Sequence, residues 1–329
     1  MKLELTELSL GCAQLGNLYR AVTDDEAVAT VDAAWDCGIR YFDTAPHYGL
    51  GLSERRLGHA LASRRREEYV VSTKVGRRLE RLSPPHGRDD EGFDVAATHR
   101  RVWDFSRDGV LRSLERSLER LGLERVDAVF LHDPDDHWRD ALEHAYPALE
   151  ELRREGVVTS IGAGMNQAEM LAQFVRHTDV DLLMLAGRYT LLEQGALDVL
   201  LPLCVEHDVR VVAAGVFNSG LLARDEPPAD ARYDYVDAPP DVVDRARRIA
   251  RICGRHGTSL PAAAVAFPLA HPAVASVCVG ARSPSQVERN AGLHGASIDP
   301  ALWEDLKTEG LLRADAPTPP ASYDHKMNS

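Results

Sequence analysis

Residues 41–49, YFDTAPHYG, follow a short apolar run and place a carboxylate and a phenol five residues apart, at Asp43 and Tyr48. Two later apolar segments also end in an ionisable side chain, which is Lys74 in one segment and His132 in the other. Side chains at the ends of three successive strands can converge only if the strands are parallel and share one open end. The pattern therefore predicts that these four groups form an active site for proton transfer at one end of a barrel.

Short apolar segments alternate with amphipathic ones along the chain, which is typical of parallel βαβ units. Eight strands are predicted, at Ser9–Cys12, Arg40–Asp43, Val70–Lys74, Ala128–His132, Thr159–Gly162, Leu182–Leu185, Val209–Ala213 and Ser276–Val279. Helices are predicted between them, at Ser53–Leu61, Val110–Leu121, Ala141–Glu155, Gln167–Arg176, Ala196–His207 and Asp241–Cys253. An earlier helix is predicted to begin at a capping box formed by Thr23 and Glu26.

Eight such units favour a closed (β/α)8 TIM barrel of the α/β class over an open doubly wound sheet. Polar and apolar residues alternate in Lys2–Leu10, which predicts an N-terminal β-hairpin across the barrel floor. We expect residues 1–329 to form one domain, with an extended tail from Ala314 to Ser329.

One segment interrupts this regular alternation. Gly76–Gly109 is a long charged insertion that contains two adjacent prolines and the aromatic residues Phe93, Trp103 and Phe105. Because it follows the strand that ends at Lys74, a functional loop in this position would overhang the active site. A surface excursion without a role is an equally weighted alternative.

Composition narrows the range of functions. The formal net charge of −13 argues against a protein that binds DNA or RNA mainly through charge. No apolar run reaches the roughly 20 residues that span a bilayer, so no membrane segment is expected. The five cysteines are scattered and the N-terminus does not resemble a signal peptide, so we expect a cytoplasmic protein with reduced thiols.

The four ionisable groups complement one another chemically. A free phenol has a pKa of about 10 and is a poor acid or base at neutral pH, but a neighbouring ammonium lowers that pKa. We therefore expect Lys74 to lower the pKa of Tyr48, and Asp43 to keep Lys74 charged. His132 is expected to orient the reacting oxygen of a small-molecule substrate.

Each group also has a purely structural interpretation. Asp43 could be a turn residue, and Tyr48 could form part of a pocket wall. Lys74 could be a surface charge at the end of a strand, and His132 could be a hydrogen-bonded residue at the barrel rim. Their shared place at the ends of parallel strands favours the functional interpretation. The segment His132–His137 contains possible metal ligands, but it is a proline-containing loop without helical ligand spacing, so no metal is predicted.

A second signal lies near the end of the chain, where a strand is followed by a glycine turn and the start of a helix. Ser283 suits the N-cap of that helix, with Pro284 at N1 and Gln286 at N3. Such a terminus binds phosphate through free N–H groups and the helix dipole, and Arg282 would add charge. An ordinary capped helix beside a surface arginine is the alternative.

These motifs resemble the aldo-keto reductase superfamily over nearly the whole chain, from Leu10 to Asn290. The runs FDTAPHYG at 42–49 and STK at 72–74 carry most of that resemblance. It implies a TIM barrel, a catalytic tetrad formed by the four groups above, no metal, and a nicotinamide cofactor bound without a Rossmann fold. It also implies that the adenosine phosphate of the cofactor contacts Gly280, Arg282, Ser283, Gln286 and Asn290.

The chain departs from the usual family pattern around the nicotinamide. Asn166 stands in a shifted position for the residue that holds the nicotinamide amide, and Ala186 and Ala214 replace a usual glutamine and a usual aromatic residue. The same departures resemble the branch of sugar 1-dehydrogenases of the D-threo-aldose (L-fucose) and L-galactose type. Pyridoxal 4-dehydrogenase is a close relative of that branch.

The resemblance implies oxidation of the anomeric carbon of an aldose to a lactone with NAD or NADP as cofactor. Three alternatives stay open: an NADPH-dependent aldehyde or ketone reductase, a cofactor-bound regulatory subunit, and a metal-dependent barrel hydrolase. The sequence decides neither the sugar, nor the choice between NAD and NADP, nor the oligomeric state.

Overall fold

The computed structural model describes residues 3–85, 87–228, 230–234 and 236–320. The strands in that part of the chain are β1 Leu8–Gly11, β2 Tyr41–Asp43, β3 Val70–Val75, β4 Arg77–Arg81, β5 His99–Trp103, β6 Ala128–His132, β7 Ser160–Met165, β8 Leu182–Ala186, β9 Arg210–Ala214, β10 Arg232–Tyr233, β11 Val236–Asp237 and β12 Val274–Gly280. The α-helices are α1 Asp24–Asp36, α2 Leu52–Leu61, α3 Arg107–Leu121, α4 Trp138–Asp140, α5 Tyr146–Arg154, α6 Ala168–His177, α7 Leu200–Glu206, α8 Pro240–Arg255, α9 Leu260–Leu269, α10 Pro284–His294 and α11 Ala301–Thr308.

Eight of these strands form a closed parallel barrel in the order β1-β12-β9-β8-β7-β6-β3-β2. All eight predicted strands are present, with ends shifted by up to three residues, and the TIM-barrel prediction is confirmed. The helices cover the outside of the barrel, so apolar strand residues are buried on both faces. The carboxyl ends of all eight strands consequently lie at the same end of the barrel.

The two-residue period of a β-strand explains how the barrel positions its polar groups. Inward-facing residues form an apolar cluster inside the barrel, made of Tyr41, Ala128, Phe130, Leu182, Met184, Val212 and Cys278. Asp43 and His132 lie two residues after Tyr41 and Phe130, and therefore point to the same side of their strands. The barrel interior thus has an apolar layer beneath a polar one.

The prediction of an N-terminal hairpin is wrong for the described residues. Residues 3–7 contain no strand, and β1 pairs with β2 and β12 as a barrel strand. Leu3 and Leu5 nevertheless pack against the apolar cluster inside the barrel. Burial of these two side chains accounts for the alternating pattern without a second strand. Lys2 lies outside the described residues.

The insertion at Gly76–Gly109 is ordered around an antiparallel hairpin of β4 and β5, which the sequence did not predict. Gly76 opens it with φ of 104°, and a Cβ at this position would overlap the ring of Phe105. Phe93 is buried, whereas Trp103 is 45% exposed. At the other end of the chain, residues 314–320 form neither helix nor strand, and residues 321–329 of the predicted tail lie outside the described residues.

Candidate active site

The carboxylate of Asp43 and the ammonium of Lys74 form a buried ion pair at the carboxyl end of the barrel. Asp43 is the last residue of β2, Lys74 is the penultimate residue of β3, and each is 2% exposed. Lys74 Nζ donates to Asp43 Oδ2 at 2.6 Å, and Ser72 Oγ donates to Asp43 Oδ1 at 2.7 Å. Because buried charges need such partners, these contacts fix both side chains in place.

Tyr48 extends this ion pair into a three-membered chain. It lies in the loop after β2, followed by Gly49 with φ of 61°, where a Cβ would overlap the backbone of Gly16. Lys74 Nζ also donates to Tyr48 Oη at 3.1 Å and to Thr44 O at 3.1 Å, so all three ammonium protons are used. Since Tyr48 Oη accepts from Lys74, its own proton is free to point toward a substrate.

Lys74 lowers the pKa of Tyr48, as expected, but other contributions decide the final pKa. Burial raises the pKa of Tyr48 most strongly, Lys74 lowers it and Asp43 raises it, and the net pKa lies above its ordinary value. Lys74 thus has the expected effect, but the loss of solvation of the phenolate outweighs it, a contribution that the sequence analysis left out. Burial lowers the pKa of Lys74, but Asp43 and Tyr48 together raise it by more, so the net pKa lies above its ordinary value. Lys74 is therefore an ammonium beside a protonated phenol.

His132, the last residue of β6, completes the cluster as a neutral imidazole. Its ring lies edge-on to the ring of Tyr48, with 5.9 Å between the centroids. Its Nδ1 is buried and has no hydrogen-bond partner among the described residues, whereas Nε2 lies 3.7 Å from Asp133 Oδ2. Burial, reinforced by nearby cations, lowers the pKa of His132 well below its ordinary value. The imidazole is therefore available as a hydrogen-bond donor or acceptor.

A cleft of about 610 Å³ opens beside this cluster. Its lining includes His47, Tyr48, Asp133 and Asn166, together with Arg77, Phe93 and Trp103 from the insertion. Arg101 pairs with Asp89 within the insertion and donates to His47 O at 3.0 Å, which anchors the insertion to the loop that carries Tyr48. The insertion therefore forms a wall of the cleft, as the functional interpretation of Gly76–Gly109 predicted.

The predicted cofactor residues lie at the end of β12 and the start of α10. Ser283 is the N-cap of α10 and its Oγ accepts from Gln286 N, with Pro284 in the first turn, so the predicted helix start is confirmed. Arg282 N donates to Gln286 Oε1 at 3.0 Å, and Asn290 is buried farther along the helix. Within the described residues, no hydrogen bond connects this group to the tetrad, so the two sets occupy separate parts of the same barrel end.

The predicted residue Gly280 and two residues that the sequence did not single out, Gln14 and Asn218, also suit a bound nicotinamide cofactor. Gly280 has no room for a side chain, because a Cβ there would overlap Gln14. Gln14 Oε1 and Asn218 Oδ1 are both buried and have no hydrogen-bond partner among the described residues. Asn218 donates instead to Gly187 O, at the end of β8. These two acceptors follow β1 and β9, the strands on either side of β12, where amide or hydroxyl donors of a cofactor would satisfy them.

In residues 3–85, 87–228, 230–234 and 236–320, no group of three or more His, Cys, Asp or Glu side chains is arranged to hold a metal ion. Across the same residues, no helix combines the length and the apolar character that crossing a bilayer requires.

Comparison with known proteins identifies the class of enzyme. Residues 7–308 match the aldo/keto reductase family, and the chain belongs to that family. It is 51% identical over 322 residues to a D-threo-aldose 1-dehydrogenase of a Pseudomonas species, with 96% of each chain covered. It is 40% identical over 329 residues to a pyridoxal 4-dehydrogenase of Microbacterium luteolum, covering 94% of this chain and 95% of the relative.

A solved structure agrees with these comparisons. The holo form of an aldo-keto reductase from Bacillus halodurans superposes with a TM-score of 0.73 at 26% identity, covering 99% of this chain and 98% of that one. The chain is therefore an NAD(P)-dependent oxidoreductase that uses a nicotinamide cofactor.

Proposed function

We propose that this enzyme oxidises the anomeric carbon of an aldose of the L-fucose or D-threo-aldose type to the corresponding lactone. The observation that carries the proposal is the buried chain of Asp43, Lys74 and Tyr48, joined by contacts of 2.6 and 3.1 Å at the edge of the cleft. The similarity to a D-threo-aldose 1-dehydrogenase over nearly the full length supports the choice of substrate class.

In the proposed reaction the anomeric hydroxyl loses its proton and the anomeric carbon loses a hydride, so the C–O bond becomes the lactone carbonyl. A bound oxidised nicotinamide supplies the hydride acceptor. Tyr48 Oη receives the substrate proton after releasing its own proton to solvent, and Lys74 stabilises that ionised form through its contact. Asp43 keeps Lys74 charged, and the neutral His132 donates a hydrogen bond to the reacting oxygen.

We propose that the adenosine phosphate of the cofactor binds at the start of α10. The residues assigned to it are Gly280, Arg282, Ser283, Gln286 and Asn290. A helix N-terminus favours an anion, and Arg282 directly precedes the N-cap residue Ser283, where its guanidinium would add positive charge. Asn166, which follows β7 and lines the cleft beside Tyr48, is proposed to hold the nicotinamide amide.

The relatives suggest the rival substrates that a test must include. One relative is named for pyridoxal, and its 40% identity makes pyridoxal the first competitor of a sugar. The tetrad works in either direction because proton transfer is reversible, so reduction of an aldehyde with NADPH is the second competitor.

The test is a substrate panel with the purified chain, following the absorbance of the reduced cofactor. Pentoses, 6-deoxyhexoses including L-fucose, and pyridoxal are each assayed with NAD⁺ and with NADP⁺, and an aromatic aldehyde is assayed with NADPH and NADH. The proposal expects the highest kcat/KM with an aldose and a lactone product detected by NMR. A higher kcat/KM for pyridoxal or for aldehyde reduction would refute it, and absence of any turnover would favour a regulatory subunit.

A further inference from the structure

Asp133, the residue after His132, has a backbone conformation that L-amino acids rarely adopt. Its φ is 43°, in the left-handed region, and its N–H donates to Gly164 O at 3.0 Å. Such conformations persist only where the surrounding structure holds them, and they are concentrated at functional sites. The carboxylate of Asp133 lines the cleft, with Oδ2 at 3.7 Å from His132 Nε2.

Arg77 holds this carboxylate from the insertion. It is the first residue of β4, directly after Gly76, and its Nη2 forms an ion pair with Asp133 Oδ2. Its guanidinium also lies 4.4 Å from the ring centroid of Trp103. Because the Arg77 side chain is only 16% exposed, solvent screens the pair less than it would screen an open surface pair. The insertion is thereby tied to the carboxylate beside the catalytic cluster.

The neighbouring charges explain why Asp133 needs Arg77. Burial raises the pKa of Asp133, Arg77 lowers it, and the nearby Asp135 raises it again. Glu91 also approaches Arg77, at 3.9 Å, so two carboxylates share one guanidinium. Loss of Arg77 would therefore favour a neutral, reoriented carboxyl group at position 133.

The spacing of Asp133 and His132 matches a polyhydroxylated substrate. Oxygens on adjacent sugar carbons are separated by about the length of a hydrogen bond. His132 Nε2 and Asp133 Oδ2 are 3.7 Å apart, which is close enough for the two groups to contact oxygens on neighbouring carbons. A reacting oxygen held by His132 consequently leaves the oxygen of the next carbon within reach of the carboxylate. The proton transfer proposed above does not use this carboxylate.

We propose that Asp133, oriented by Arg77, accepts a hydrogen bond from the hydroxyl on the carbon next to the reacting carbon. The site then selects α-hydroxylated carbonyl compounds and their cyclic hemiacetals over compounds without that hydroxyl. A site built to bind a substrate hydroxyl rejects the analogue that lacks it, because the polar group of the protein is left unpaired. The inference rests on the proposed function for a sugar substrate, but the selectivity itself can be measured in either reaction direction.

The test compares an aldose with its 2-deoxy analogue in the wild-type enzyme and in Asp133→Asn. Asparagine keeps the size of the side chain and tolerates a left-handed backbone, but it lacks the charge. We expect kcat/KM for the parent aldose to fall about 10- to 100-fold, the range for loss of a hydrogen bond to a charged group, with little change for the deoxy sugar. The intrinsic reactivities of the two substrates cancel when the ratio of their kcat/KM values in the variant is divided by the same ratio in the wild type. An equal fall for both substrates would overturn the proposal.

Asp140→Asn is the matched control. It makes the same chemical change at an exposed residue of α4, and the preference for the parent sugar should persist. If Asp133→Asn does not fold, Arg77→Met carries the test, because it releases the carboxylate without altering the left-handed residue. It should reduce the preference for the hydroxylated substrate by about tenfold, and Arg77→Lys should restore part of that preference. An unchanged preference in Arg77→Met would overturn the role of the pair.

Failure of the proposed function can be separated from failure of this inference. If no aldose is oxidised, the same comparison is made in the direction of reduction, with an α-hydroxyaldehyde and the aldehyde without the hydroxyl. A preference for the hydroxyaldehyde that Asp133→Asn abolishes would support the inference even though sugar oxidation had failed. Sugar oxidation with no preference for the 2-hydroxyl would leave the proposed function intact and refute the inference.

Discussion

Replacement of Lys74 by methionine tests the electrostatic core of the mechanism. Lys74 Nζ lies 3.1 Å from Tyr48 Oη. At an effective dielectric constant of about 20, an ammonium at this distance stabilises a phenolate by about 5 kcal/mol. That energy corresponds to about four pKa units on Tyr48. Lys74→Met should therefore slow oxidation by about 10³- to 10⁴-fold at a fixed pH.

The assay is kcat/KM for aldose oxidation as a function of pH in the wild-type and variant enzymes. Because the pKa of Tyr48 lies above the assay range in both enzymes, the two profiles should rise in parallel, with the variant displaced to higher pH and its deficit nearly constant up to about pH 9. Cofactor affinity, measured by fluorescence titration, should change little. A variant within tenfold of the wild type, with an unchanged pH profile, would refute the electrostatic role of Lys74.

The variant must also be separated from a folding defect. Asp43 would lose its cationic partner while 2% exposed, and breaking a buried ion pair in this way costs about 3–5 kcal/mol of stability. The double variant Asp43→Asn, Lys74→Met replaces both charges and should recover part of that stability without recovering activity. Recovery of oxidation in the double variant would show that the unpaired carboxylate, and not the absent ammonium, had caused the loss.

Three further predictions address the proton, its titration and the cofactor. Tyr48→Phe should lose about 10²- to 10⁴-fold in kcat with nearly unchanged cofactor affinity, and retained turnover in steady-state assays would exclude Tyr48 as the proton acceptor. Because the pKa of Tyr48 lies above its ordinary value, the fraction of phenolate rises with pH throughout the neutral range. The value of kcat/KM for oxidation should therefore rise about tenfold per pH unit from roughly pH 6 to 9. A flat profile would contradict this. Arg282→Ala should reduce kcat/KM for NADP⁺ about 10- to 100-fold and affect NAD⁺ much less if the guanidinium binds the 2′-phosphate, and an equal loss with both cofactors would contradict that contact.

The barrel and the positions of the tetrad could be predicted because both depend on local patterns. Side chains alternate between the two faces of a strand, so the direction of each one follows from its position in the strand. Asp43 and His132 could therefore be placed at one end of the barrel from the sequence of their own strands. Helix α9 escaped prediction for the opposite reason. Every residue of Leu260–Leu269 is buried, so the segment shows no amphipathic period that would distinguish a helix.

Contacts between distant segments were not predictable in the same way. Arg77 and Asp133 are 56 residues apart, and neither local segment indicates that the two side chains form a pair. The buried oxygens of Gln14 and Asn218 lack partners only because of how loops after different strands meet. The one available signal was the length of Gly76–Gly109, which indicated a functional insertion but not the hairpin that forms it.

The pKa of Tyr48 shows where reasoning from pairs of residues reaches its limit, and it bears on the direction of the reaction. The sequence identified the ammonium beside the phenol, but the loss of solvation is a property of the whole barrel end, and here it is the larger effect. The resting cluster therefore offers a protonated Tyr48 and a neutral His132 to an incoming oxygen. Such a cluster is ready to donate to a carbonyl, whereas oxidation requires Tyr48 to lose its proton first. We infer that the same four residues favour reduction at low pH and oxidation at high pH, so the proposed dehydrogenase activity depends on the ease of that first deprotonation.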